Sequence, residues 1–227
     1  MPRRLLLELR DELARAANPD KAVQMQGYMK SAMPYHGVLL PLVRALCKKR
    51  FDELTFTDAA AWQKAVLDLW QGARFREERY AALFLCAVRS AKPYQTMAAL
   101  PLYERLIGEG AWWDIVDDIA THRLAEILRA EPAPMKKAMR KWSKSDHLWK
   151  RRAAILCQIG AKQDTDLALL YDCIAPSLGS KEFFLQKAIG WALRQYAWTN
   201  PKAVKRYVKE HGAELSALSK REARKNL

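Results

Sequence analysis

Four segments of the chain, FREERYAALFLCAV, AWWDIVDDIATHRL, HLWKRRAAILCQI and EFFLQKAIGWALRQ, superimpose when Tyr80, Asp117, Arg152 and Lys187 share one position. The intervals between those residues are 37, 35 and 35. In three units an aromatic stands three or four residues earlier, at Trp113, Trp149 and Phe183. In the first unit Arg76 takes that place and Phe75 lies five before. A period of about 35 to 40 residues belongs to helix pairs stacked as in HEAT or armadillo arrays. Each such unit buries its apolar face only against its neighbours. The period therefore predicts an all-α fold, an α-solenoid of HEAT-like repeats.

Local signals agree with helices throughout. Apolar residues recur at helical spacing, and no stretch alternates as a strand does. Asn18-Pro19 and Asn200-Pro201 each place an N-cap before a proline at the first helical position. A helix through Trp62, Val66, Leu69 and Trp70 is predicted to start at Thr55 or Thr57, and one after Asn200 to stop at Gly212. Connections are short and no low-complexity linker interrupts them, so a single repeat domain over residues 1–227 is expected. The opening MPRRLLLELRDEL has three leucines but is then broken by Glu8 and Arg10, which fits an amphipathic first helix rather than a leader. No apolar run approaches the ~20 residues that span a bilayer. A cytoplasmic protein without a membrane partner is expected.

Charge narrows the partners. The 39 Lys and Arg exceed the 25 Asp and Glu by 14, and the excess is clustered. Lys136 to Arg152 holds eight basic residues and one acid, and the segment from Lys202 onward eight and three. Basic blocks of this kind meet phosphates and release counterions, although a solvated face accounts for either one alone. Cys47, Cys86, Cys157 and Cys173 are widely spaced among apolar neighbours, as reduced core thiols are. His36, His122, His147 and His211 form no metal-binding spacing and read as surface or capping residues. The nine glycines form no phosphate loop. Neither a metal nor a nucleotide cofactor is expected.

Within AWWDIVDDIA, a helix places Trp112, Ile115, Val116 and Ile119 on one apolar face, while Trp113 and Asp117 share its flank. In the last unit Phe183, Lys187 and Trp191 share a flank, with Phe184, Ala188, Ile189 and Ala192 nearer the core. Equivalent positions of stacked repeats line up, so Tyr80, Asp117, Arg152 and Lys187 are expected to form a row. Aromatic faces attract cations by about 0.5–2 kcal/mol, and a carboxylate beside them can stabilise a developing oxocarbenium ion. Ordinary packing accounts equally well for Trp113 and Trp191.

The segments AWWDIVD, LWKRRAAIL and SLGSKEFFLQKAIGWALRQYAWTNP, with the later LSKREA and the earlier YMKSAMPYHGVLLPLVR, resemble the bacterial alkylpurine DNA glycosylases of the AlkD family. The likeness runs in order from Tyr28 to Ala223. It implies a HEAT-like solenoid with a basic concave groove that holds duplex DNA. The implied activity is hydrolysis of the N-glycosidic bond of cationic N3- or N7-alkylated purines without flipping the base into a pocket. By the same resemblance Asp117, Trp113 and Trp191 are the catalytic residues and Arg152 contacts DNA. Tyr28, Phe183 and Phe184 line the surface, and Lys187, Trp149, Lys150 and Arg151 join the DNA-binding set. A monomer near the bacterial nucleoid is implied. Ala111 stands where the family often carries a polar residue, and a small side chain there is expected to matter little.

Two rival classes remain open at this stage. A non-catalytic helical-repeat protein that binds damaged or branched DNA needs no Asp117 in a phosphate groove, where it is repulsive. A protein-binding scaffold needs no basic excess.

Overall fold

The computed structural model describes residues 2–227. Among them are fourteen α-helices and no strand, and the fold is the all-α helical-repeat class that the period predicts. The chain divides at the Tyr94–Gln95 junction into two compact units.

The first unit contains α1 (Pro2–Arg15), α2 (Pro19–Met29), α3 (Leu40–Phe51), α4 (Ala59–Gly72) and α5 (Arg76–Cys86). Here α1 packs on α3 and α4, and α5 packs on both of those. The core holds Leu9, Leu13, Val43, Phe51, Trp62, Val66 and Trp70, each at most 2% exposed. Asn18 caps α2 by accepting from the Lys21 amide at 2.9 Å. The helix expected to start at Thr55 or Thr57 starts instead at Asp58, which accepts from the Ala61 amide at 2.7 Å. A carboxylate is the stronger acceptor for the free N–H groups at a helix start.

The segment between α2 and α3 is pinned from beneath. Glu77 is fully buried and accepts from the backbone N–H groups of His36, Gly37 and Val38 at 3.0–3.1 Å. Gly37 has φ +80°, and a Cβ there would lie 2.1 Å from the Asn18 carbonyl oxygen, so glycine is required. His36, expected at the surface or at a cap, is buried and stacked on Phe75 at 3.7 Å. The imidazole ring packs flat on Phe75, and its Nε2 lies 3.6 Å from Glu78.

The second unit contains α6 (Leu100–Gly110), α7 (Trp113–Asp118), α8 (Ala125–Ala130), α9 (Pro132–Ser143), α10 (Leu148–Leu156), α11 (Leu167–Ile174), α12 (Phe183–Ala197), α13 (Pro201–Glu210) and α14 (Ala217–Ala223). A π-helical stretch, Ile119–Leu124, joins α7 to α8. At its centre α10 packs on α6, α7, α9, α11 and α12. Asn200 caps α13 through the Ala203 amide at 2.9 Å, and the helix ends at His211, one residue before Gly212. Between α12 and α14 the backbones approach closely: a Cβ on Gly190 would sit 2.5 Å from the Glu222 Cβ. All four cysteines are buried and unbonded to one another, and burial pushes the Cys173 thiol up to about 12. No helix among the described residues is long and apolar enough to cross a membrane.

Glu78 gives the first unit a pH dependence. Desolvation alone would raise its pKa. The Arg10 fork at 2.7 and 2.8 Å, His36 and the Arg74 amide outweigh it and bring the carboxyl from 4.5 to about 2. A lowered carboxyl stabilises the fold above its unfolded value, and that contribution disappears as pH falls through the folded one. About 3 kcal/mol is at stake. Chemical denaturation followed between pH 5 and pH 2 is expected to show this loss, and Glu78→Gln should flatten the pH dependence over that window.

Candidate active site

A two-residue link, Ala111 and Trp112, joins α6 to α7. Ala111 closes α6 with φ 32° and ψ 40°, and its N–H bonds to the Ile107 carbonyl at 3.0 Å. This is the left-handed conformation that a helix terminus usually gives to glycine. The constraint at this position is thus on the backbone and not on the size of the side chain. Trp112 follows in extended geometry as the N-cap of α7 and accepts from the Val116 amide at 3.1 Å.

Trp112 does not simply join the Ile115, Val116 and Ile119 face, all three of which are fully buried. It stands half-buried in an aromatic cluster from three helix starts. Its ring lies 5.8 Å from Trp149 on α10 and 5.2 Å from Phe184 on α12, and those two are 4.9 Å apart. The Trp112 Nε1–H is buried without an acceptor among the described residues. Trp113, one residue on, and Trp191 are both half-buried. On α12, Trp191 lies two turns beyond Phe184 on the same face, about 10 Å along the axis.

On this cluster rests the central pair. Arg152 donates through Nε and Nη2 to the two carboxylate oxygens of Asp117, each at 2.7 Å, and through Nη1 to the Phe184 carbonyl at 2.5 Å. Its guanidinium carbon lies 5.8 Å over the Phe184 ring. The Arg152 side chain is 6% exposed and that of Asp117 16%. Burial, with a smaller contribution from the nearby Asp114, raises the Asp117 carboxyl above its ordinary value, and the fork from Arg152 only partly offsets it. The site thus holds a carboxylate at the edge of solvent, fixed in orientation by a guanidinium that itself lies over the Phe184 ring.

The other candidate residues are placed differently. Trp149 is buried, with 7% exposure, and packs on Trp112 and Phe184. Phe183 is exposed at the start of α12, 5.4 Å from Phe184. Lys187 is half-exposed and meets Glu222 at 3.4 Å. Lys150 pairs with Glu104, while Arg151 donates to the Pro176 carbonyl and the Ser177 hydroxyl at 2.9 and 3.0 Å. Tyr28 is 77% exposed on α2, in the first unit. Of the expected row, Asp117 and Arg152 touch; Tyr80 instead shares a 3.0 Å hydroxyl contact with Tyr35.

The basic block from Lys136 to Arg152 is largely engaged within the protein. Lys136 pairs with Asp166 and Arg140 with Asp172, each at 2.7 Å, in addition to the partners of Lys150 and Arg152. Lys137, Lys141 and Lys144 remain exposed, as do Lys202, Lys205, Lys209, Arg221 and Arg224 farther on. Glu104, Glu222 and the Phe184 carbonyl were not legible as site supports, because only packing reveals which bases they neutralise. Among the described residues no group of His, Cys, Asp or Glu is arranged to hold a metal ion.

A helical-repeat fold with a buried carboxylate–guanidinium pair among tryptophans defines a class, and the comparisons name it. The chain belongs to the DNA alkylation repair enzyme family, whose sequence profile it matches over residues 9–227. It is similar to a predicted DNA alkylation repair enzyme from Enterococcus faecalis at 29% identity and a TM-score of 0.84, covering 93% of this chain and 96% of that one. A Streptococcus mutans protein, smu.31, shares the fold at 18% identity and a TM-score of 0.61, over 82% of this chain and 92% of that one. No curated protein matches the sequence.

Replacing Ala111 by glycine is expected to stabilise the protein by about 1 kcal/mol, the scale of left-handed strain in a residue with a Cβ. Thermal unfolding checks this: the midpoint of the variant should rise.

Proposed function

We propose that this member of the family is a DNA glycosylase that releases cationic N3- and N7-alkylated purines from duplex DNA. The observation that carries the reading is the Asp117 carboxylate, buried yet reaching solvent and held in a fork by Arg152.

An N-alkylated purine already bears positive charge, so its departure needs no acid. The C1′–N bond breaks heterolytically, its electron pair neutralises the ring, and the deoxyribose becomes an oxocarbenium ion. Asp117 stabilises that ion. A unit charge at about 4 Å gains about 4 kcal/mol at an effective dielectric constant of about 20. The same carboxylate orients a water for attack at C1′ and takes the proton it sheds. Trp113 and Trp191 hold the cationic lesion by cation–π contact. Arg152, bound at both ends, acts as a positioning residue that fixes the carboxylate's direction. Exposed Lys137, Lys141 and Lys144, with Phe183 and Tyr28, supply sequence-independent contact to the DNA backbone. No step calls for a flipped base, a metal or a cofactor.

Incubation of the protein with methylated duplex DNA, followed by chromatography of free 3-methyladenine and 7-methylguanine, tests the reading. Asp117→Asn should lower release at least about 100-fold, as loss of roughly 3 kcal/mol of transition-state stabilisation requires, while circular dichroism shows it folded. Neutral 1,N6-ethenoadenine should be released far more slowly than 7-methylguanine. Because the Asp117 carboxyl is raised and must be ionised to act, the acid limb of the rate profile should lie above pH 3.8. DNA binding without base release would replace this reading with a non-catalytic DNA-binding protein.

A further inference from the structure

A second concavity lies within the second unit, at the C-terminal ends of α10 and α12, and takes no part in the Asp117 chemistry. It encloses about 320 Å³, within the range of small-molecule sites, about 300–1,000 Å³. Its floor is apolar, formed by Ile155, Leu170 and Ala192, all essentially buried.

The walls differ from the floor in a specific way. Gln163, Gln195 and Thr165 line it, and none of their side chains makes a hydrogen bond to another described residue. Gln158, by contrast, is fully engaged: its amide donates to the Asp166 carbonyl at 3.0 Å and accepts from the Asp166 amide at 2.8 Å. That pair of bonds fixes the loop that presents Gln163 and Thr165. The rim is aromatic. Tyr196 is half-buried, and Trp198, just past the end of α12, is 75% exposed, by far the most exposed tryptophan described. A tryptophan left so open beside a cavity is not explained by packing.

The chemistry selects a ligand class. The lining carries no carboxylate and one exposed ammonium, Lys162, a balance that favours an anionic group at the mouth. The floor and the Trp198 and Tyr196 faces suit a flat aromatic ring. A glutamine amide carries one acceptor and paired donors side by side, which match the amine and adjacent ring nitrogen of adenine. Lys162 stands exposed at the mouth, its backbone held at φ 51°, where its ammonium can meet a phosphate. We propose that this cavity binds an adenine mononucleotide, with the base against Trp198, the glutamine amides on its edge, and the phosphate toward Lys162.

Equilibrium dialysis of the intact protein with labelled AMP, adenine and inorganic phosphate tests the proposal, with Trp198→Ala, Gln195→Leu and Asp117→Asn alongside. AMP is expected to bind more tightly than adenine, and phosphate not measurably. Trp198→Ala should weaken both about tenfold or more, the scale of one lost base–aromatic stack. Gln195→Leu should weaken adenine more than purine itself, which keeps the ring nitrogen but lacks the amine. Asp117→Asn should leave binding intact, which separates this cavity from the candidate active site. No binding of AMP at millimolar concentration, binding that neither cavity variant alters, or equal competition by inorganic phosphate overturns the assignment. Trp198 and Gln195 are both solvent-reaching, so the variants should fold, and their thermal midpoints verify it.

Discussion

The contact on which the second unit depends is the fork from Arg152 to Asp117, with its third arm on the Phe184 carbonyl. One guanidinium thereby joins α7, α10 and α12. Its cost is the desolvation of two charges, and breaking such a pair by deleting one partner leaves the other buried alone, typically 3–5 kcal/mol worse. The aromatic cluster of Trp112, Trp149 and Phe184 supplies the dry side of the arrangement. Because Arg152 is tied at every nitrogen that points inward, Asp117 has one orientation. Preorganisation of that kind is what electrostatic catalysis requires.

Buried carboxylates serve two separate ends in this chain. In the first unit Glu77 and Glu78 act as fasteners: one gathers three consecutive amides, the other binds Arg10, and neither reaches solvent. Donors surround each charge within the protein. Asp117 is different, because burial raises its carboxyl even with Arg152 in place and one edge stays open. The same residue chemistry thus yields a fastener where donors surround it and a carboxylate with a raised pKa and an open edge where they do not.

The charge of +14 is also less free than it looks in one dimension. Four of the eight bases between Lys136 and Arg152 are ion-paired, which stiffens the array of α9, α10 and α11 around its acids. What that block leaves for a polyanion is a smaller set, Lys137, Lys141 and Lys144, joined in the same unit by exposed bases on α13 and α14. A binder that relies on these alone is strongly salt-sensitive.

Periodicity settled the all-α class, because a helix pair that cannot bury its face alone must repeat, and the repeat is visible in the spacing of Tyr80, Asp117, Arg152 and Lys187. Caps at Asn18 and Asn200 were legible for the local reason that their side chains satisfy amides three residues on. Family membership was legible from AWWDIVD and SKEFFLQKAIGW. Tertiary structure alone decided what those residues touch. It paired Arg152 with Asp117, buried Trp149, turned Trp112 into a cluster member, sent Lys187 to Glu222 and buried His36. Each of these depends on distances across helices, and charge or hydropathy along the chain carries no record of which base faces which acid. Even Ala111 illustrates the division: its size was readable, but its left-handed backbone arises only because α6 must end where α7 begins.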